Sequence, residues 1–174
     1  MEKEKTRNQI SEQYKWSIDK VFSNENEING AIKEVTDLCT ELEAYKGKIM
    51  DSGKNLYNFY ELLNNYNRLL LKLYVYANML CDSDTTNTKN QALKMKIQNL
   101  YEDCGLKLSF VLPEMLEKSF VDVEILIKEE PKLELYRFDL EKTFRFKEHT
   151  LSKELEEIVT NANNAFGGCA EAFY

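Results

Sequence analysis

Residues 56–80 read "LYNFYELLNNYNRLLLKLYVYANML". Their apolar members, Leu56, Phe59, Leu63, Tyr66, Leu70, Leu73, Ala77 and Leu80, step by three and four in turn. That spacing lines one face of an α-helix and leaves the opposite face to water. The preceding stretch follows the same rule with Ile28, Ala31, Val35, Leu38, Leu42, Tyr45 and Ile49. Between them lies "YKGKIMDSGKN", which holds two glycines and an N-cap candidate in Asp51 or Ser52. The two helices should therefore fold back on each other as an antiparallel hairpin.

The rest of the chain continues the pattern. After "CDSDTTNT", where Asp82, Ser83, Asp84, Thr85 and Thr86 compete as caps, a looser stripe runs through Leu93, Ile97, Leu100, Cys104 and Leu108. A further helix is expected from about Pro113, carrying Leu116, Phe120, Val123 and Ile127, with Glu114 favourable to its dipole. Pro131 opens another, with Leu133, Tyr136, Leu140 and Phe144 inward, and Ser152 caps the next. No strand-like alternation and no motif of fixed period appear. The fold class is all-α: antiparallel helical hairpins packed as an irregular multi-helix bundle. One domain over 1–174 is expected, with 1–13 as a loose tail. Some apolar residues fall outside the stripes: Tyr57, Tyr60, Leu62, Leu69, Leu135 and Phe138. They mark either a helix buried all round or a face awaiting a partner. Trp16, with Val21 and Phe22 after it, is expected to pack across the first hairpin as a buried plug.

Composition narrows the function. A net charge of −7, with basic residues scattered among acidic ones, argues against nucleic acid as a partner. The charged start "MEKEKTRNQISEQ" lacks the apolar segment of a secretory leader, and "LLLKLYVYANMLC" is too short and too broken to span a bilayer. A cytoplasmic protein is expected. Cys39, Cys81, Cys104 and Cys169 form no locally spaced pair, and buried reduced thiols are the reading for Cys39 and Cys104.

The only histidine, His149, lies in "RFKEHTLSKELEEI", residues 145–158. A zinc peptidase helix needs two histidines one turn apart, so that both imidazoles reach the metal from one face. Here no second histidine exists, and Glu148 and Glu154 alone make a poor transition-metal site. "DSDTTN" lacks the glycine and distal glutamate of a calcium loop. His149 is assigned a hydrogen bond within the link between two helices. No catalytic, cofactor-binding or metal residue is identified in the chain, and no substrate-binding residue is assigned.

Four stretches in order nevertheless carry a likeness: "YKWSIDKVFSNENE", "LYVYANMLCDSDTTN", "SFVLPEML" and "LELYRFDLEKTFRFKEHTLSKELEEI". From Tyr14 to about Ile158 the chain resembles the N-terminal helical region of oligoendopeptidase F, a zinc metallopeptidase related to thimet oligopeptidase. The resemblance implies an all-helical, two-lobed enzyme enclosing a deep channel that admits unstructured oligopeptides. Zinc is held there by a His-Glu-x-x-His helix and a downstream glutamate of the C-terminal half, none of which this chain matches. The matching positions are scaffold: Trp16, Tyr74, Tyr76, Asp82, Asp84, Phe110, Pro113, Glu114, Tyr136, His149, Leu151, Ser152 and Glu156. The ending "NANNAFGGCAEAFY" is read as a truncation. The implied partner is the C-terminal catalytic half, with a homodimer through the bared face when that half is missing. A free-standing helical adaptor is the alternative reading.

Overall fold

Most stretches of three-and-four spacing fold as helices, and capping and turn hydrogen bonds set the breaks between them. The computed structural model describes residues 9–147 together with Leu155, Ile158, Val159 and Ala162. Over residues 9–147 the α-helices are, in order, α1 (Glu25–Glu43), α2 (Gly53–Ser83), α3 (Thr88–Lys107), α4 (Val111–Leu116), α5 (Phe120–Glu129) and α6 (Arg137–Arg145). Short 3-10 turns occupy Glu12–Tyr14, Ile18–Lys20 and Pro131–Tyr136. No strand occurs among the described residues, and no helix among them is long and apolar enough to cross a membrane. The fold is all-α, as the periodicity requires. The expected cap of a last helix at Ser152 lies outside the described residues.

The chain forms two compact units. One takes the described residues up to Thr36 with Asn67–Tyr101; the other takes Asp37–Tyr66 with the described residues from Glu102 onward.

In the first unit Ile28, Val35, Leu70, Leu73, Ala77 and Ile97 are buried. Phe22 meets Tyr76 edge-on, with ring centroids 5.0 Å apart, and Lys72 Nζ lies 4.3 Å from the Phe22 ring centre. Trp16 does not join this core. Its indole is 67% exposed, and the inward positions before α1 are Ile18 and Phe22 instead. The reason is local: the 3-10 turn Ile18–Lys20 places Ile18 and Phe22, four residues apart, on the inner side, and Trp16 precedes that turn. The cap of α3 is also not one of the five candidates. Asn87 takes it, its Oδ1 accepting from the N–H of Lys89 at 3.0 Å and of Asn90 at 3.3 Å. Asp84 instead accepts from the backbone and hydroxyl of Thr86, at 3.1 Å and 2.7 Å, which tightens the link before the helix.

In the second unit the first stripe outlasts its helix. α1 ends at Glu43, and Ile49 is fully buried from within the turn. Gly47 has φ +78°, a left-handed backbone that glycine adopts without steric cost. The Glu114 carboxylate accepts from the Gly47 N–H at 2.7 Å and the Ile49 N–H at 3.0 Å. Ser52 then caps α2, its hydroxyl accepting from the Asn55 N–H at 3.1 Å. Gly53 N–H donates to Glu129 at 3.1 Å. A Cβ at Gly53 would press into the Leu126 carbonyl oxygen and stand 3.0 Å from Glu130 Cβ, so the close approach of α2 to the end of α5 requires glycine.

The single helix expected from Pro113 through Ile127 is two, α4 and α5. Ser119 is extended (φ −100°, ψ 163°), its hydroxyl accepts from the Asp122 N–H, and Asp122 accepts from the Ser119 N–H at 2.8 Å. This reciprocal capping box restarts the helix at Phe120, and the same bonds hold the Asp122 carboxyl below its usual range. Val123, Leu126 and Ile127 are buried behind it, as are Leu133, Tyr136 and Leu140 after Pro131. Arg137 binds Glu134 at 2.7 Å and Glu124 at 3.3 Å, joining α6 to α5. Of the residues outside the stripes, Tyr60 is buried, whereas Leu135 and Phe138 are 76% and 72% exposed. Tyr57, Leu62 and Leu69 are half-buried, so α2 keeps one wet face.

The two glycines Gly30 and Gly53 should respond oppositely to alanine. Gly30 lies within α1 with open space around its Cα, so Gly30→Ala should stabilise by roughly 0.5–1 kcal/mol through helix propensity. Gly53→Ala should destabilise by about 1–3 kcal/mol through overpacking. Urea titrations followed by circular dichroism read both signs. Trp16→Ala should change stability by less than about 0.5 kcal/mol, as for an exposed position, and native tryptophan emission should be that of a wetted indole. A blue-shifted maximum would contradict this placement.

Candidate functional site

The turn that joins α1 to α2 leaves a groove of about 480 Å³ in the second unit. Glu41, Ala44 and Tyr45 form one wall; Asn58, Glu61, Leu62 and Asn65, one face of α2, form the other. Tyr45 also packs edge-on against Phe59 beneath it, with ring centroids 5.6 Å apart.

Glu61 is held from behind. The Tyr136 hydroxyl donates to its carboxylate, and Asn64 Nδ2 donates to the same hydroxyl oxygen at 3.1 Å. The Tyr136 ring stacks on Tyr60 at 4.8 Å. Burial, and then the bond to Glu61, push the Tyr136 phenol up to about 12. Burial raises Tyr60 further still. Both phenols are therefore neutral at physiological pH, and Tyr136 acts as a fixed donor. The groove presents carboxylates and carboxamides, which bind polar groups, and it pairs no nucleophile with a base. Among the described residues no three His, Cys, Asp or Glu side chains are placed to hold a metal ion.

The scaffold positions fall in several places. Tyr76 and Phe110 are core residues, with Lys46 Nζ 5.6 Å from the Phe110 ring centre. Tyr74 is exposed beside Tyr101, ring centroids 6.0 Å apart. Asp82 is exposed at the end of α2, Asp84 shapes the link after it, and Pro113 lies in the first turn of α4. Glu114, read as a dipole partner, is the clasp on the α1–α2 turn. His149, Leu151, Ser152 and Glu156 lie outside the described residues, and so does the proposed hydrogen bond of His149. Cys39 and Cys104, distant in sequence, are neighbours, both buried as free thiols. The pairs Glu61–Tyr136, Gly53–Glu129 and Cys39–Cys104 had no signal in local spacing.

The family model described as Oligopeptidase F matches residues 114–174. Group B oligopeptidase PepB of Streptococcus agalactiae is 34% identical over 167 residues, covering 96% of this chain and 28% of that protein. Oligopeptidase PepF of Bacillus subtilis is 28% identical over 167 residues, covering 96% of this chain and 25% of that protein. The crystal structure of oligoendopeptidase-F from Enterococcus faecium superposes with a TM-score of 0.78 at 29% identity, over 86% of this chain and 29% of that one. In sequence and fold, this chain is the counterpart of the N-terminal helical part of a peptidase. The family it matches is oligoendopeptidase F. It spans about a quarter of the length of these relatives.

Tyr136→Phe should cost about 0.5–1.5 kcal/mol by removing one hydroxyl and its two hydrogen bonds. A phenol raised from 10.0 to about 12 favours the folded state below pH 10 and loses that contribution as pH rises towards 12. Relative to Tyr136→Phe, the native chain should therefore lose its advantage across that window. Denaturation midpoints for the two proteins at pH 8, 10 and 12 measure it.

Proposed function

We propose that this chain works as the N-terminal lobe of a zinc-dependent oligoendopeptidase, forming part of the wall of the channel that admits oligopeptides. The observation that carries this reading is the one-sided coverage: 96% of the chain aligns with 28% of an oligopeptidase. On this reading the chain is inactive alone, it acts in the cytoplasm, and its partner is the C-terminal catalytic half. Zinc binds in that half. The residues of this chain do not suit a zinc site, because peptidase zinc needs paired histidines and the sequence has one. No hydrolytic step is assigned to its side chains. The exposed Leu135 and Phe138 support a partner on their side of the second unit, since large apolar side chains at that exposure mark surfaces meant to be covered.

The purified chain should hold far less than one zinc per molecule and should leave short peptides uncut with or without added zinc. Its apolar face should make it self-associate at high micromolar concentration, and Leu135→Ser with Phe138→Ser should return it to a monomer. Elemental analysis, a fluorogenic peptide assay and sedimentation read these three outcomes. Stoichiometric zinc or peptide cleavage by the chain alone would overturn the reading, and a monomer at all concentrations would favour a self-sufficient adaptor.

A further inference from the structure

We propose that Cys39 and Cys104 form a latent disulfide, an internal staple between α1 and α3 that closes under a two-electron thiol oxidant. Two observations place the sulfurs together. Cys104 is the neighbour that faces the Cys39 thiol, and both side chains are buried, Cys39 1% and Cys104 3% exposed. One turn further along both helices, Glu43 and Lys107 form an ion pair at 4.0 Å. Glu43 follows Cys39 by four residues and Lys107 follows Cys104 by three, so the same two helix faces oppose each other through successive turns. The whole contact lies within the second unit.

Burial pushes the Cys39 thiol up to about 12, with the Cys104 side chain adding to the shift. Cys39 therefore stays protonated in neutral water, which slows its oxidation because the thiolate is the reactive form. Closure relies on proximity and on an oxidant reaching the contact. With a peroxide, one sulfur attacks the O–O bond, losing its proton and becoming a sulfenic acid as the leaving oxygen departs protonated. The second sulfur then displaces the sulfenic hydroxyl, which leaves as water carrying the second thiol proton. The two thiols give up two electrons and the peroxide takes them. The product joins the end of α1 to the end of α3 by a covalent bond that a dithiol reopens.

Diamide, an azo compound that accepts two electrons and two protons, tests the pair without added metal. The native chain is treated, quenched in acid, alkylated and digested with trypsin. The expected product joins peptides 34–46 and 97–107, lighter by two hydrogens than their sum, and dithiothreitol restores both thiols. Cys39→Ser should abolish that product while retaining the helical circular dichroism. If that variant fails to fold, the wild-type peptide map decides alone. Recovery of Cys39 and Cys104 as free alkylated thiols, or bridges formed only through Cys81 or Cys169, would overturn the proposal.

Discussion

The second unit depends on one carboxylate. Between α1 and α2 the chain must reverse within nine residues, and Gly47 turns through a left-handed conformation that leaves backbone donors unpaired by any helix. Glu114 takes two of them. The Ile49 donor, beside a buried side chain, would cost about 1–3 kcal/mol if left unsatisfied, so Glu114 of α4 stabilises the turn. The turn in turn sets where α2 begins. From that start follow the contact of Gly53 with Glu129, the packing of Phe59 under Tyr45 and the bond of Tyr136 to Glu61.

How much of this was legible depended on the range of the interaction. The stripe from Leu56 to Leu80 names α2 because helical burial is periodic and local. Ser52 as a cap was legible for the same reason. The break at Ser119 was present in the sequence as a serine followed three residues later by Asp122, but the apolar steps across it looked continuous and outweighed the cap. Asn87 was overlooked among five better-known cap residues just before it. Trp16 failed differently: size and apolarity argue for burial, while the backbone turn at Ile18 decides which side chain faces inward.

The candidate groove was not legible at all. Its polar wall is held by Tyr136, whose partner Glu61 is 75 residues away, and nothing in the spacing around either residue announces the other. The resemblance to oligoendopeptidase F was legible, because it rests on four ordered stretches rather than on contacts. Several of the residues that carry it, among them Tyr76, Phe110, Glu114 and Tyr136, prove to be packing and turn residues. A likeness built on such positions speaks for a shared scaffold more strongly than for a shared site.

The stitches of the second unit also impose an order of assembly. Gly47 meets Glu114 across 67 residues, Glu61 meets Tyr136 across 75 and Gly53 meets Glu129 across 76. Contacts of that separation carry a loop-closure entropy that local helix formation does not repay by itself. Synthesis runs from the N-terminus at about 5–20 residues per second, so α1 and the first turns of α2 emerge several seconds before any of their three acceptors or donors. Through that interval the reversal at Gly47 is an open hinge, and the apolar side chains around Ile49 and Leu56 have no α4 or α5 to cover them. The nascent chain is at its most sticky there, and it is the arrival of Glu114 that ends the exposure.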